Sequence, residues 1–196
     1  MNHRELERGY FDALRATGWP KHLIIDNGSD PPLPNAVRVG WNSGYNTACN
    51  IGLEQARTDA VLFLNNDIEP RTQNWLDAIT DALEPGVLVG AQLVTSPHAN
   101  VDGIELPYLD GWCVGGMRED LDDLGGWYEG FEGVGYFGDN DLSLRARAAG
   151  MTLREVRVGL NHLRNRTAGP ANENHEVSLR NQQQFKARAR ELLVAA

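Results

Sequence analysis

The stretch Ala60-Val61-Leu62-Phe63-Leu64-Asn65-Asn66-Asp67 decides the fold, because five consecutive apolar residues run directly into a polar tip. A continuous apolar run of this length is typical of a strand that is buried on both faces. Closer to the N-terminus, His22-Leu23-Ile24-Ile25 runs into Asp26-Asn27-Gly28-Ser29-Asp30 in the same way. Both stretches predict a buried strand that ends in a polar turn.

Helical patterns lie between the predicted strands. Apolar residues at helix spacing end near Thr58, and a second set extends from Trp75 to Leu83. Pro85-Gly86 ends that second helix before a predicted strand from Val87 to Val94. Because strands that alternate with helices favour right-handed crossovers, the chain is predicted to be an α/β protein with a mostly parallel sheet flanked by helices.

Spacing predicts further elements towards both ends of the chain. They are a helix at 4–17 with Leu6, Tyr10 and Leu14 on its apolar face, a strand at 37–39, a helix capped by Asp141, a strand at 153–158 and a helical tail at 173–196.

The segment from Ser96 to Gly138 has no regular pattern. Ten of the 21 glycines of the chain lie between Gly103 and Gly138, with tryptophan, tyrosine and phenylalanine among them. This composition predicts a loop-rich, aromatic-lined pocket wall.

Length, charge and cysteine content exclude several classes of function. The chain has 196 residues, enough for one domain, and a net charge of −9 that disfavours binding to nucleic acid or anionic lipid. No apolar run is long enough to cross a bilayer, and the first residues do not resemble a signal peptide. Cys49 and Cys113 are too few for a disulfide framework. These features predict a cytoplasmic protein with no transmembrane segment, of undetermined oligomeric state.

Three acidic clusters are predicted to converge on one crevice, since the loops of an open parallel sheet meet at the carboxyl ends of its strands. The clusters are Asp26 with Asp30, Asp67 with Glu69, and Asp139 with Asp141. A bound cation relieves such crowding of like charges, and carboxylates with a histidine suit Mg²⁺ or Mn²⁺ holding a diphosphate.

Each cluster also has a simpler interpretation. Asp26-Asn27-Gly28-Ser29 is an ordinary turn sequence, and Asp67 or Asp141 could cap a helix. A lone histidine such as His162 is more often a surface residue than a ligand, and the tryptophans are most simply core residues. The chain has no P-loop, dinucleotide-binding glycine motif, zinc-protease motif or nucleophile elbow, so a diphosphate site would be unlike that of an ATPase.

The order of these pieces resembles the family 2 glycosyltransferases of the GT-A fold. The resemblance covers about Asn2 to Thr167 and rests on these segments: Ile24 to Asp30, Asn46 to Leu53, Leu64 to Pro70, Gly125-Gly126-Trp127, Gly138 to Arg145, and His162. It implies a Rossmann-like sheet and an inverting, metal-dependent hexosyl- or deoxyhexosyltransferase that uses a nucleotide diphosphate sugar.

The resemblance also implies the residues of the nucleotide site. Asp26 would hydrogen-bond the base, and Asn27 and Ser29 would shape the turn around it. Asn50 would lie on a helix that lines the nucleotide. Asn66 would contribute to the nucleotide site from the polar turn that follows the predicted strand Ala60 to Leu64.

Roles in metal binding and catalysis follow from the same resemblance. Asp67 and His162 would hold the Mn²⁺ or Mg²⁺ that bridges the two phosphates. Asp139 would be the general base that deprotonates an acceptor hydroxyl, with no covalent intermediate. Trp127 and Asp141 would lie on the acceptor side, and the acceptor itself is a glycan or another hydroxyl compound that the sequence does not name.

The implied domain spans 1–167, with a nucleotide-binding part at about 1–95, an acceptor-side part at about 96–167 and a helical tail at 168–196. Three departures from the family accompany it. The segment Asn2 to Leu6 matches the helix after the family's first strand, so that strand is expected to be missing. Asn65 replaces an aspartate, and Gly138 replaces a glutamate. These departures leave open a non-catalytic sugar-nucleotide or glycan-binding protein of the same fold, and a nucleotidyltransferase is disfavoured because no basic phosphate loop is present.

Overall fold

A computed structural model of the protein describes residues 22–163 and 171–195. The helix predicted at 4–17 lies outside the described residues, as does the segment expected to follow a missing first strand. In the described part of the chain, no helix combines the length and apolar character needed to cross a membrane.

The described chain combines helices with strands, including a run of six strands between residues 87 and 117, and this confirms the α/β class. The helices are α1 (Tyr45–Gln55), α2 (Trp75–Thr80), α3 (Arg118–Asp123), α4 (Gly138–Ala148) and α5 (Ala171–Ala195). The strands are β1 (Ile25–Asn27), β2 (Val37–Val39), β3 (Ala60–Leu64), β4 (Ile68–Pro70), β5 (Val87–Gly90), β6 (Leu93–Val94), β7 (Asn100–Val101), β8 (Ile104–Glu105), β9 (Tyr108–Leu109), β10 (Cys113–Met117), β11 (Thr152–Glu155) and β12 (Leu160–His162).

The central sheet has four strands in the order β11-β5-β10-β3. β11 is parallel to β5, and β10 is antiparallel to both of its neighbours. Three of the four strands therefore point in the same direction, which agrees with the predicted mostly parallel sheet. β1 and β2 form a separate parallel pair.

The central strand β10 lies in the segment that the sequence predicted to be a loop-rich wall. Its glycines are required by close packing: a Cβ at Gly115 would lie 2.6 Å from the carbonyl oxygen of Val61, and one at Gly116 would lie 2.8 Å from Leu88 Cδ2. The prediction of loop was therefore wrong for this stretch. Glycine here lets the strand pass close to its neighbours instead of marking a turn.

Apolar side chains cover both faces of the sheet. Leu53 of α1 and Leu142 of α4 pack on one face, and Trp75 and Ile79 of α2 pack on the other. A third cluster joins α5, through the fully buried Phe185, to Leu144, Phe131 and neighbouring residues. The C-terminal helix therefore shares a core with the acceptor-side part of the chain.

Candidate active site

Asp67 and His162, far apart in sequence, are brought together by the pairing of β4 with β12. His162 lies opposite Ile68 in this antiparallel ladder, and the Leu163 N–H donates to the Asp67 carbonyl oxygen at 2.9 Å. His162 Nε2 lies 3.2 Å from Asp67 Oδ1. The two residues predicted to hold the metal are thus neighbours.

This pair keeps buried polar atoms without hydrogen-bond partners. Among the described residues, Asp67 Oδ1 and His162 Nδ1 accept or donate no hydrogen bond, although Asp67 is only 3% exposed. An unpaired buried group costs about 1–3 kcal/mol. A divalent cation takes carboxylate oxygen and imidazole nitrogen as ligands, so the pair fits Mn²⁺ or Mg²⁺. Within 22–163 and 171–195, no three His, Cys, Asp or Glu side chains form a metal site by themselves.

A short loop connects the metal pair to Asp139. The ring of Trp112 stacks on the His162 imidazole, with centroids 5.3 Å apart and planes inclined by 22°. The preceding residue, Gly111, donates its N–H to Asp139 Oδ2 at 3.0 Å. Because Gly111 and Trp112 are adjacent in sequence, Asp139 and the Asp67–His162 pair flank the same loop.

Asp139 lies in the first turn of α4, in surroundings that favour its protonated form. Burial and the nearby charge of Asp110 raise the pKa of Asp139 to about 6, although the backbone N–H groups of Gly111 and Asn140 favour the ionised form. The Tyr45 hydroxyl donates to the Gly111 carbonyl oxygen at 2.6 Å and fixes the loop from the other side. A carboxylate with this pKa is a stronger base than an ordinary aspartate.

Asp26 closes the turn that follows β1. Its carboxylate accepts hydrogen bonds from the N–H groups of Ser29 and Leu33, at 2.9 and 3.0 Å, and from Arg38 Nη1 at 2.5 Å. Burial raises the pKa of Asp26, but these hydrogen bonds outweigh it and hold the pKa well below its usual range. Asp26 thus organises the turn, as the simpler interpretation of the sequence suggested, and its contact with a base stays a prediction.

Asn27 holds the loop that leads into α1. Its amide oxygen accepts from the Ser43 N–H and hydroxyl, and its Nδ2 donates to Asn42 Oδ1 and to the Gly44 carbonyl oxygen. The ends of β1 and β2 are therefore bound to each other at one edge. Asn66 is exposed beside the buried Asp67.

Asn50 fixes the loop that contains Trp127. Its Nδ2 donates to the Trp127 carbonyl oxygen and to Glu129, while its Oδ1 accepts from the Trp127 N–H at 2.7 Å. The Trp127 ring is 2% exposed and makes edge contacts with Tyr45 and Phe63. Little of the residue is therefore open to solvent, and the acceptor-side role of Trp127 stays a prediction.

Asp141 lies on a different face of α4 from Asp139, because two residues along a helix turn by about 200°. Its carboxylate is completely buried and accepts from Arg145 Nε at 2.6 Å and Arg188 Nε at 2.7 Å. The acceptor-side role of Asp141 is likewise an untested prediction, and the structure gives the side chain a structural partnership instead. The spacing of Asp141 and Arg145 could have revealed the first pair, but no local signal points to Arg188.

Gly138, which replaces the glutamate of the resembled family, has no room for a side chain. A Cβ at this position would overlap the amide group of Asn46, which is 3% exposed and donates to the Tyr128 carbonyl oxygen at 2.8 Å. Asn46 thus fills the space beside the first turn of α4. Sequence reasoning missed this residue because nothing in its local pattern marks it.

Comparisons with known proteins bear on the fold of the chain. No family model matches the chain. The O-antigen biosynthesis protein RfbC of Myxococcus xanthus is 30% identical over an alignment of 196 positions that covers 75% of this chain. The chain spans only 15% of the length of that curated relative.

Solved structures match over nearly the whole chain. A mannosyltransferase from Pyrobaculum calidifontis in complex with GDP-Man and Mn²⁺ superposes with a TM-score of 0.60 at 16% identity, covering 98% of this chain and 71% of that one. A Drosophila β1,4-galactosyltransferase 7 mutant in complex with manganese, UDP-Gal and xylobiose gives 0.55 at 16% identity, covering 90% and 74%. The resemblance predicted from the motifs is confirmed at the level of the fold: this chain has the GT-A fold of glycosyltransferases.

Proposed function

We propose that the protein is a glycosyltransferase that moves a sugar from a nucleotide diphosphate sugar to an acceptor hydroxyl, with inversion at the anomeric carbon. One observation carries the proposal: a carboxylate with a pKa of about 6, Asp139, flanks the same loop as the buried Asp67–His162 pair. A base and a cation site on one rim are what an in-line displacement of a diphosphate requires.

Asp67 and His162 would hold Mn²⁺ or Mg²⁺, with the donor diphosphate and water as further ligands. The ion, when bound, would neutralise the charge that develops on the leaving diphosphate. The two solved structures above, which contain Mn²⁺ or manganese with GDP-Man or UDP-Gal, support this choice of donor and cation. The turn of Asp26, Asn27 and Ser29 would shape the base-binding end, and Asn50 and Asn66 would contribute to the nucleotide side.

Asp139 would take the proton of the acceptor hydroxyl as its oxygen bonds to the anomeric carbon. The bond from that carbon to the diphosphate breaks at the same time, and the diphosphate leaves with the electron pair. One base is enough for this inversion, because no covalent intermediate has to be resolved. The raised pKa suits Asp139 to accept the proton near neutral pH.

The acceptor would approach from the side formed by residues 96–138 and α5. A cavity of about 550 Å³ lies there, and its lining includes the polar residues Ser96, Asn100, Glu105 and Lys186. β9, next to this region, carries Tyr108, whose pKa burial raises to about 12, with smaller contributions from Asp139 and Asp110. The O-antigen name of the relative supports a glycan acceptor, and the buried free cysteines Cys49 and Cys113 favour a cytoplasmic setting.

A non-catalytic nucleotide-sugar or glycan-binding protein is the second candidate. The replacement of acidic residues by Asn65 and Gly138 favours it. Such a protein would bind nucleotides without turnover.

Donor hydrolysis separates the two candidates. The purified chain is incubated with Mn²⁺ and GDP-, UDP- or TDP-sugars, and nucleoside diphosphate release is measured for the wild type and Asp139→Asn. We expect slow, metal-dependent release that Asp139→Asn lowers, whereas Glu84→Gln, in an exposed ion pair with Arg154, leaves it unchanged. Binding without release in the wild type would favour the second candidate.

A further inference from the structure

The Asp26 carboxylate is closed to a nucleobase. Its side chain has no exposed surface, and its two oxygens already accept from Ser29, Leu33 and Arg38. Because the carboxylate is completely buried among these donors, a base would have to displace one of them to reach it. The group that the sequence assigned to the base therefore faces inward, into its own turn.

The Arg38 guanidinium occupies the outer side of the same turn. Arg38 lies opposite Asp26 in the parallel β1–β2 pair, and its Nη1 donates both to Asp26 and, at 2.7 Å, to the Ser29 carbonyl oxygen. Its side chain is 38% exposed. In the described part of the chain only Nη1 makes hydrogen bonds, so the Nη2 and Nε donors are available to a ligand.

The position of this guanidinium matches the nucleotide end of the site. β1 and β2 are parallel, so both end at one edge, and Asn27 ties that edge to the loop leading into α1. Arg38 is held there in one orientation by a buried carboxylate and a backbone carbonyl. A planar donor group fixed in this way is suited to bidentate recognition.

We infer that Arg38, positioned by Asp26, contacts the base of the donor, and that this base presents two neighbouring acceptors, as guanine and cytosine do. The inference rests on the proposed function, since it identifies the nucleotide of the same site. Two donors on one edge of a guanidinium fit two neighbouring acceptors, which guanine offers at O6 and N7 and an unpaired cytosine at O2 and N3. Adenine places an amino donor beside N7, and uracil or thymine places an N–H donor between its two carbonyl oxygens.

Calorimetric titration of the full chain with nucleoside diphosphates in Mn²⁺ tests the inference. We expect GDP or CDP to bind about 5- to 150-fold more tightly than ADP and UDP, the range given by one bidentate arginine contact. Where GDP is the preferred ligand, 7-deaza-GDP, which lacks the N7 acceptor, should lose most of this preference; a preference for CDP identifies cytosine. Arg38→Lys, which keeps a positive charge beside Asp26, should lose the preference as well, while Arg57→Lys at the exposed end of α1 should keep it.

The possible outcomes separate this inference from the proposed function. Equal affinity for GDP, CDP, ADP and UDP, or a preference for ADP or UDP, would overturn the base contact and leave the proposed function intact. An unchanged preference in folded Arg38→Lys would do the same. No binding of any nucleoside diphosphate in Mn²⁺ would remove the proposed function itself. If Arg38→Lys does not fold, the ranking of the four nucleoside diphosphates on the wild type still decides the inference.

Discussion

Replacing the proposed base should stabilise the protein in a pH-dependent manner. The folded protein raises the pKa of Asp139 from 3.8 to about 6 because its carboxylate is buried near Asp110. A raised pKa favours the protonated carboxyl. The penalty for ionising Asp139 in the folded state is therefore absent when the pH lies below 3.8, the pKa of this group in the unfolded chain. It grows as the pH rises and is complete above about pH 7, where it amounts to roughly 3 kcal/mol of lost unfolding free energy.

Asp139→Asn removes this charge but also disturbs two hydrogen bonds. The carboxylate accepts from Gly111 and Asn140 through different oxygens, and an amide can accept through only one of them. That cost of about 1–3 kcal/mol is largely independent of pH, so it cancels when two pH values are compared. We expect the variant to gain about 2.5 kcal/mol relative to wild type between pH 4 and pH 8.

Urea unfolding followed by tryptophan fluorescence at pH 4 and pH 8 measures this gain. Asp26→Asn is the matched control without a pH effect in this range, because the folded state holds the pKa of Asp26 well below its usual range. Its stabilising contribution is complete above the unfolded pKa of 3.8 and is lost only as the pH falls below that value, so the difference between this variant and wild type should be nearly flat from pH 4 to pH 8. An equally flat difference for Asp139→Asn, or a loss of stability relative to wild type as the pH rises, would refute the argument from burial and Asp110.

Three further outcomes follow from the site. Donor turnover should rise with pH through about 6 as Asp139 ionises, and Asp139→Asn should lower it by roughly 10²- to 10⁴-fold with donor affinity nearly unchanged; an equal loss of affinity in titrations would remove Asp139 from the role of base. Asp67→Ala should abolish Mn²⁺-dependent nucleotide binding in calorimetry, and normal affinity would exclude it from the metal site. Gly138→Glu should destabilise the fold by about 1–3 kcal/mol, because the new side chain overlaps the amide group of Asn46. Urea unfolding should show partial recovery of stability in the double variant with Asn46→Gly. A fully stable single variant would contradict the close packing of Gly138 against Asn46.

The local sequence located those strands whose apolar pattern can be recognised without knowledge of the neighbouring strands. The apolar run Ala60–Leu64 and the strand at Val37–Val39 were located correctly, because a strand with a continuous or alternating apolar pattern is recognisable without its neighbours. The predicted strand from Val87 to Val94 is divided in two, since residues 91–92 leave the central sheet for the ribbon of β6 and β9. Strand β10 was missed because Gly115 and Gly116 are there for close contacts that only the assembled sheet contains.

The amino-acid sequence by itself determined the α/β class, the net negative charge and the types of side chain that the strand ends carry. Tertiary structure decided what those side chains do, because a carboxylate takes its pKa and its partners from residues distant in the chain. Asp139 faces Asp110 and is driven towards protonation, whereas Asp141, two residues later on the same helix, faces Arg145 and Arg188 and is held in an ion-pair network. Helical geometry points the Asp139 and Asp141 side chains in different directions. The packing of α4 between a loop and α5 then places different charged groups beside each carboxylate.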